Sequence, residues 1–189
     1  DTSQIPEVKA FEASLMASLR MPRLGGQVRA LWEGMRSEDD QDGTQMYGVF
    51  AVEIESHVSQ TLAYLAAMLA QVDGLHVLLV DANLNRRVLT ARFGLEGGMG
   101  LSNICLMECD WQEVVHPTSH KKMCILPAGT QTPSAGEFSE SLLPRLIEDW
   151  KEMFDVILVD IGDAQAAFAP AMYRECDSNY VLIRLGKTD

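Results

Sequence analysis

Two aspartates in this sequence close runs of apolar residues: Asp81 ends "VLLVD" and Asp160 ends "VILVD". A carboxylate at the end of a buried strand is costly unless it is paired or holds a metal. Mg²⁺ is the cation such oxygen donors suit. One strand-end aspartate often only caps the next helix, but two in one chain point to a functional site. A third position belongs with them. "YGVFAVEI" runs into "ESHVSQTLAYLAAMLA", which reads as a strand, a tight turn and a helix. In open α/β sheets ligands bind outside the carboxyl ends of the strands, where this turn sits. It carries Glu53, Glu55 and His57. At a helix start His57 reads first as a solvent-facing or capping residue. A second constellation could bind zinc. Cys105, Cys109, His116, His120 and Cys124 fall within twenty residues, with four-residue steps at both ends. Cys and His four apart can share a helix face and bind Zn²⁺. Against that, Pro117 interrupts any helix across the window, and free cysteines are commonly buried apolar residues.

The surrounding pattern supplies the elements that position these residues. "VKAFEASLMASLRM" and "GGQVRALWEGMRS" predict two amphipathic helices, the second with Val28, Leu31, Trp32 and Met35 on one face. Trp32 is expected as an anchor against the domain. The acidic stretch "SEDDQDG" at 37–43 reads as a solvated loop. Strands are expected at "YGVFAVEI", "HVLLVDA", "MCILPAG", "DVILVDI" and "NYVLIRLG". Continuous apolar runs such as "VLLV" belong to strands buried on both faces. Helices are expected between them. One follows Val58, with Leu62, Leu65, Ala66 and Leu69 at helical spacing, and others lie at "NRRVLTARFG", in part of "LSNICLMECDWQEVV", at "SESLLPRLIEDWKEMF" and at "AFAPAMYREC". Alternating strands and helices mean βαβ units and a mostly parallel sheet. The expected fold is therefore a three-layer α/β/α domain at 47–189, preceded by an N-terminal helical segment at 1–46.

Bulk composition narrows the function classes. The 189 residues carry a formal net charge of −12, with 47% hydrophobic and 22% charged residues. That balance suits a globular domain and argues against nucleic acid as a partner. The four cysteines do not form a disulfide framework and fit a reducing, cytoplasmic setting. The apolar stretch around 62–70 is too short to span a bilayer. Because the chain opens at Asp1 rather than Met, a longer or processed product is expected, and a membrane segment could lie outside it.

Three segments carry a resemblance. "HVLLVDANLNRRVLTARFGLEGGMGLSNI" resembles bacterial tyrosine kinases (BY-kinases), which show a strand, Asp-x-Asp-x-Arg, a helix, Phe-Gly and Gly-Leu-Ser. "CILPAGTQTPSAGEFSESLLPRLIEDWKEMFDVILVDIGD" is similar to that family's Leu-Pro-x-Gly turn, helix and Walker B strand. "YVLIRLGKT" is similar to its late Gly-Lys-Thr strand. The resemblance implies a P-loop NTPase-like fold related to the partition and septum-site ATPases. It also implies work in capsule and exopolysaccharide production beside a membrane polysaccharide co-polymerase that regulates chain length. The chain stops before the family's last helix and strand and its tyrosine-rich tail.

The departures shape the functional expectation. The family's first turn is Gly-x-Gly-Lys-Ser/Thr, whose backbone N–H groups and lysine hold phosphates. Matching the helices places Glu55 and His57 near the glycines, Val58 at the lysine and Ser59 at the magnesium-binding hydroxyl. No lysine lies between Lys9 and Lys121. Each like-charge contact between Glu53 or Glu55 and a triphosphate costs on the order of several kcal/mol at an effective dielectric of about 20. Asp81 and Asp160 match the family's acids, but Asn83 replaces a second Asp, and an amide cannot act as a base. "DIGD" stands where Asp-Ser/Thr-Pro-Pro is usual. Of the oligomerisation pattern Glu-x-x-Arg-x-x-Arg only Arg29 is matched, with Gly26 and Trp32 at the flanking key positions.

The expected function is that of a degenerate, pseudo-kinase component that regulates or scaffolds exopolysaccharide synthesis and export. Such a chain needs no catalytic residue and no cofactor, and Ser59, Asp81, Asn83 and Asp160 are the remnant of a nucleotide and Mg²⁺ site. Its expected partners are the cytoplasmic ends of the co-polymerase and a second copy of the chain. Its expected place is the cytoplasm, held at the membrane through that partner or through a segment outside this chain. One alternative is an active ATP- and Mg²⁺-dependent tyrosine autokinase or ATPase, with Arg86, Arg87 or a partner's arginine replacing the lysine. The other is a zinc-binding module.

Overall fold

The computed structural model describes residues 6–36, 43–51, 57–133, 142–163 and 166–182. Helices α1 (Pro6–Leu19) and α2 (Pro22–Met35) open the chain. The second begins on a proline, which suits the first helical turn because its missing N–H has no intrahelical partner there. Strand β1 (Gln45–Ala51) leads toward helix α3 (His57–Met68). One π-helical turn, Leu69–Asp73, follows, and Gly74 in the left-handed region (φ 69°) stops it. Then come β2 (Val77–Asp81), α4 (Val88–Arg92), α5 (Leu101–Cys105), α6 (Trp111–Val114), β3 (His116–Pro117) and β4 (Met123–Leu126). The chain continues with α7 (Leu142–Met153), β5 (Val156–Asp163), α8 (Ala169–Glu175) and β6 (Ser178–Leu182).

The six strands form one sheet in the order β3-β4-β2-β5-β1-β6. Every pairing is parallel except β3 with β4. Alternation along the central strands divides the core in two. Val77, Leu79, Val156 and Leu158 face a cluster built by α1, α2, α3 and α4. Leu78, Val80, Ile157 and Val159 face a second cluster with α5, α6, α7 and α8. The molecule is the expected three-layer α/β/α sandwich. The N-terminal helices share the first cluster: Phe11, Leu15, Val28 and Trp32 pack with α3, and Trp32 meets Tyr47 edge-on at 5.4 Å.

Differences from the sequence reading are local. β1 starts at Gln45 rather than Tyr47, and the expected strand residues beyond Ala51 lie outside the described residues. β3 was not expected, since two residues at a sheet edge give no periodicity and Pro117 there needs no ladder donor. The helix expected over 85–94 shrinks to α4, because Arg87 takes a left-handed conformation (φ 52°) just before it. Met107 (φ 58°) follows the end of α5 and separates it from α6.

The Gly-Leu-Ser and Leu-Pro-Ala-Gly segments dock on each other at the carboxyl end of β4. Leu101 N donates to Pro127 O at 2.8 Å and Ser102 N to Ala128 O at 2.9 Å. Asn103, buried, accepts on Oδ1 from Gly100 N and Thr130 N and donates from Nδ2 to Glu108 Oε2 and Thr130 Oγ1. This close approach requires glycine, since a Cβ on Gly100 would stand 2.1 Å from Pro127 O. Gly100→Ala is expected to cost about 1–3 kcal/mol. Gly26→Ala in α2, with nothing within 4 Å of the new methyl, is expected to be neutral or to stabilise by up to about 1 kcal/mol. Urea unfolding of both variants checks the pair.

Candidate functional site

Parallel pairing brings the two strand-end aspartates together. Asp81 of β2 lies opposite Asp160 of β5, and Val49 of β1 lies on the other side of Asp160. Both carboxylates are fully buried. They sit at the end of the sheet where β1 leads toward α3; Glu53, Glu55 and the side chain of His57 lie outside the described residues.

Each carboxylate is held by its own set of donors. Ser59, in the first turn of α3, donates from Oγ to Asp160 Oδ2 at 2.5 Å, and Gly162 N donates to Asp160 Oδ1 at 3.1 Å. Gly162 has φ 72° and follows a register shift between β1 and β5. Asn83 packs on it so closely that a Cβ there would stand 2.2 Å from Asn83 Cγ. Asp81 Oδ2 accepts from both Thr90 N (2.8 Å) and Thr90 Oγ1 (2.7 Å), while Oδ1 accepts from Asn83 N at 3.2 Å. Thr90 Oγ1 also accepts from Ala128 N at 2.8 Å. Through this one threonine, Asp81 ties β2 to α4 and to the Leu-Pro-Ala-Gly turn. Asn83 Oδ1 accepts from Arg86 N, so the amide serves a local turn.

Of the four residues expected in the remnant site, Ser59, Asp81 and Asp160 converge directly, and Asn83 adjoins them through Gly162. Val58, assigned by resemblance to the lysine position, is buried in the first core cluster with Leu62 and Leu65. Thr90 and Gly162 were not singled out from sequence. The signal for Thr90 was a polar residue on the inward face of "VLTAR", which its 1% exposure confirms.

The five-residue zinc window does not assemble. Among the described residues no three His, Cys, Asp or Glu side chains are grouped to hold a metal ion. Cys105 is buried in the second core cluster, and burial pushes its thiol up to about 12. Burial also raises Cys109 and Cys124 and lowers His116 and His120. The four-residue step from Cys105 to Cys109 is not helical, because α5 ends and Met107 reverses the chain between them.

The comparisons with known proteins agree with this frame. No family model matches the chain. The tyrosine-protein kinase YwqD of Bacillus subtilis strain 168 is 29% identical over 133 residues, covering 69% of this chain and 56% of that protein. The succinoglycan biosynthesis transport protein ExoP of Rhizobium meliloti strain 1021 is 31% identical over 114 residues, 58% of this chain and 14% of that protein. Thus the chain spans little more than half of one curated relative and a small part of the other. Among solved structures, the BceF tyrosine kinase domain superposes with a TM-score of 0.76 at 24% identity, covering 97% of this chain and 79% of that one. The homologues and structural neighbours are bacterial tyrosine kinases with a P-loop NTPase fold.

In such a fold, oxygen donors at these strand ends suit a hard divalent cation. The carboxylate of Asp160 and the hydroxyl of Ser59 are oxygen groups of this kind, bonded here to each other. Burial raises the pKa of Asp81, against the lowering effect of the Thr90 and Asn83 hydrogen bonds and the Arg87 charge. Burial, and then the Asp81 charge, raise that of Asp160, with Ser59 and Gly162 opposing. Both groups therefore bind protons more tightly folded than unfolded. Their contribution to stability is full below the ordinary carboxylate value of about 4 and is lost as pH rises through the raised folded values. In EDTA, the stability of the wild type relative to Asp160→Asn should decline as pH rises from about 4 into the neutral range. Urea unfolding across pH checks this, and a difference that grows in favour of the wild type contradicts it.

Proposed function

We propose that this chain is a non-catalytic, cytoplasmic component that regulates or scaffolds exopolysaccharide synthesis and export, docking on the cytoplasmic ends of a membrane co-polymerase. The observation that carries this reading is the start of α3. Val58 there is built into the core, and no lysine lies between Lys9 and Lys121 to meet a nucleotide's outer phosphates. Glu53 and Glu55 add negative charge to the same turn. The exopolysaccharide setting draws support from the likeness to ExoP, named for succinoglycan biosynthesis transport. A membrane partner is consistent with the described residues, in which no helix is long and apolar enough to cross a membrane. A second copy of the chain is a further proposed partner, with Arg29 the one match to the oligomerisation pattern; here Arg29 forms a two-pronged pair with Asp73 at 2.8 and 2.9 Å.

A specific observation favours a second reading, an ATP-dependent autokinase or ATPase. Ser59 bonds Asp160, and Asp160 lies opposite Asp81, so three oxygen-bearing side chains gather at one end of the sheet. On that reading Ser59 and Asp160 would hold the cation, which neutralises charge on the phosphates when bound. Arg87 is the cation nearest in effect to Asp81, but its Nε and Nη2 already donate to Leu84 O and Thr132 Oγ1.

Calorimetric titration of the purified chain with Mg-ATP and Mg-ADP separates the two. The scaffold reading expects no binding heat at about millimolar nucleotide, a level at which ordinary kinases are saturated. Micromolar binding, or ATP hydrolysis abolished by Asp81→Asn and by Asp160→Asn, would overturn it in favour of the enzyme.

A further inference from the structure

A cleft of about 720 Å³ opens on the flank of the molecule, between α5, α6 and the start of α7. Its volume is that of a ligand or peptide site, far larger than an ion needs. The wall is apolar where Ile104, Trp111, Leu142 and Leu146 line it. Among the described residues four carboxylates rim it, Glu108, Asp110, Glu113 and Asp149, against a single cation, Arg145. Glu108 is committed within the fold, accepting from Asn103 Nδ2 at 2.7 Å and Gln131 Nε2 at 2.8 Å. Asp110 occupies the N-cap of α6 without using its side chain as a cap. The negative field converges on the cleft's own Cys109, whose thiol is pushed up by burial first and then by Glu113, Glu108 and Asp110. These carboxylates are not grouped to hold a metal ion.

One further observation bears on the occupant. Met107, at the lip, is 75% exposed, a polarizable side chain of the kind that adapts to a peptide surface.

We propose that this cleft receives a basic amphipathic segment of a partner polypeptide. Apolar side chains of the segment pack on Trp111, Leu142 and Leu146. Its lysines or arginines meet Asp110, Glu113 and Asp149. Charge complementarity selects this occupant: an acidic peptide would meet like charge at the rim, and a wholly apolar one would leave those carboxylates desolvated without partners. The cleft stands apart from Asp81 and Asp160, so the inference holds whichever reading of the nucleotide end is correct.

The test measures fluorescence anisotropy of a labelled helical peptide made of Lys and Leu, added to the purified chain. The triple variant Asp110→Asn, Glu113→Gln, Asp149→Asn should bind about tenfold more weakly, as three rim charges at surface-pair strength imply. A control of equal charge change at exposed sites elsewhere, Glu7→Gln, Glu96→Gln, Glu152→Gln, should change affinity by less than about twofold. A peptide with Ser in place of Leu should also bind more weakly. The proposal is overturned if the peptide fails to bind, if the two triple variants weaken binding equally, or if the cleft variant keeps full affinity. Competition by spermine as strong as that by unlabelled peptide assigns the cleft to a polyamine and also overturns it.

Discussion

Two like charges buried side by side are the constraint on which this end of the molecule depends. Asp81 and Asp160 stand opposite each other on adjacent parallel strands with no exposure to solvent. A low-dielectric setting makes their repulsion and desolvation costly, and the neighbouring structure supplies donors for every carboxylate oxygen. Ser59 comes from α3, Gly162 from the distorted end of β5, and Thr90 from α4. Three separate elements are thus fixed relative to the sheet by the need to satisfy one pair of side chains.

That arrangement gives the two acids unequal structural roles. Asp81 has a structural role that needs no nucleotide. It accepts the Thr90 N–H in the first turn of α4, and through Thr90 Oγ1 it anchors the backbone of Ala128. Removing it would leave Thr90 and a buried backbone N–H with fewer partners, which costs more than the mean worth of a hydrogen bond. Asp160 is less obviously structural, since Ser59 and Gly162 are its only donors among the described residues. The asymmetry separates the two residues: Asp81 joins three elements through its acceptors, whereas Asp160 accepts one hydrogen bond on each oxygen.

The sequence disclosed what depends on local pattern. Apolar runs ending in Asp81 and Asp160 announced strands buried on both faces, and the spacing of Leu143, Leu146, Ile147 and Trp150 announced the inward face of α7. The three layers and the convergence of Ser59 with the two acids followed from that pattern and from the resemblance. What stayed hidden depends on tertiary contact. Arg87 takes a left-handed conformation that no side-chain rule demands and cuts one expected helix short, and Met107 takes another that divides α5 from α6. Thr90 looked like an ordinary helix residue until the sheet brought Asp81 beneath it. The cysteine and histidine spacing failed for the same reason: a four-residue step means a shared face only where the chain is helical throughout.

One buried amide joins the two regions of interest. Asn103 receives the backbone N–H groups of Gly100 and Thr130 on one side and holds Glu108, at the rim of the acidic cleft, on the other. Gln131 spans the same gap, from Ser102 Oγ to Glu108 Oε1. The next residue, Thr132, takes the Arg87 guanidinium whose charge favours the ionised form of Asp81. The rim carboxylate and the strand-end carboxylate therefore hang from one short segment, 129–132, which the glycine packing of Gly100 against Pro127 presses onto the sheet. Contact alone does not make the two regions energetically coupled. It does mean that Glu108 and Arg87 are held by neighbouring residues of one segment, so displacing that segment would disturb both regions together.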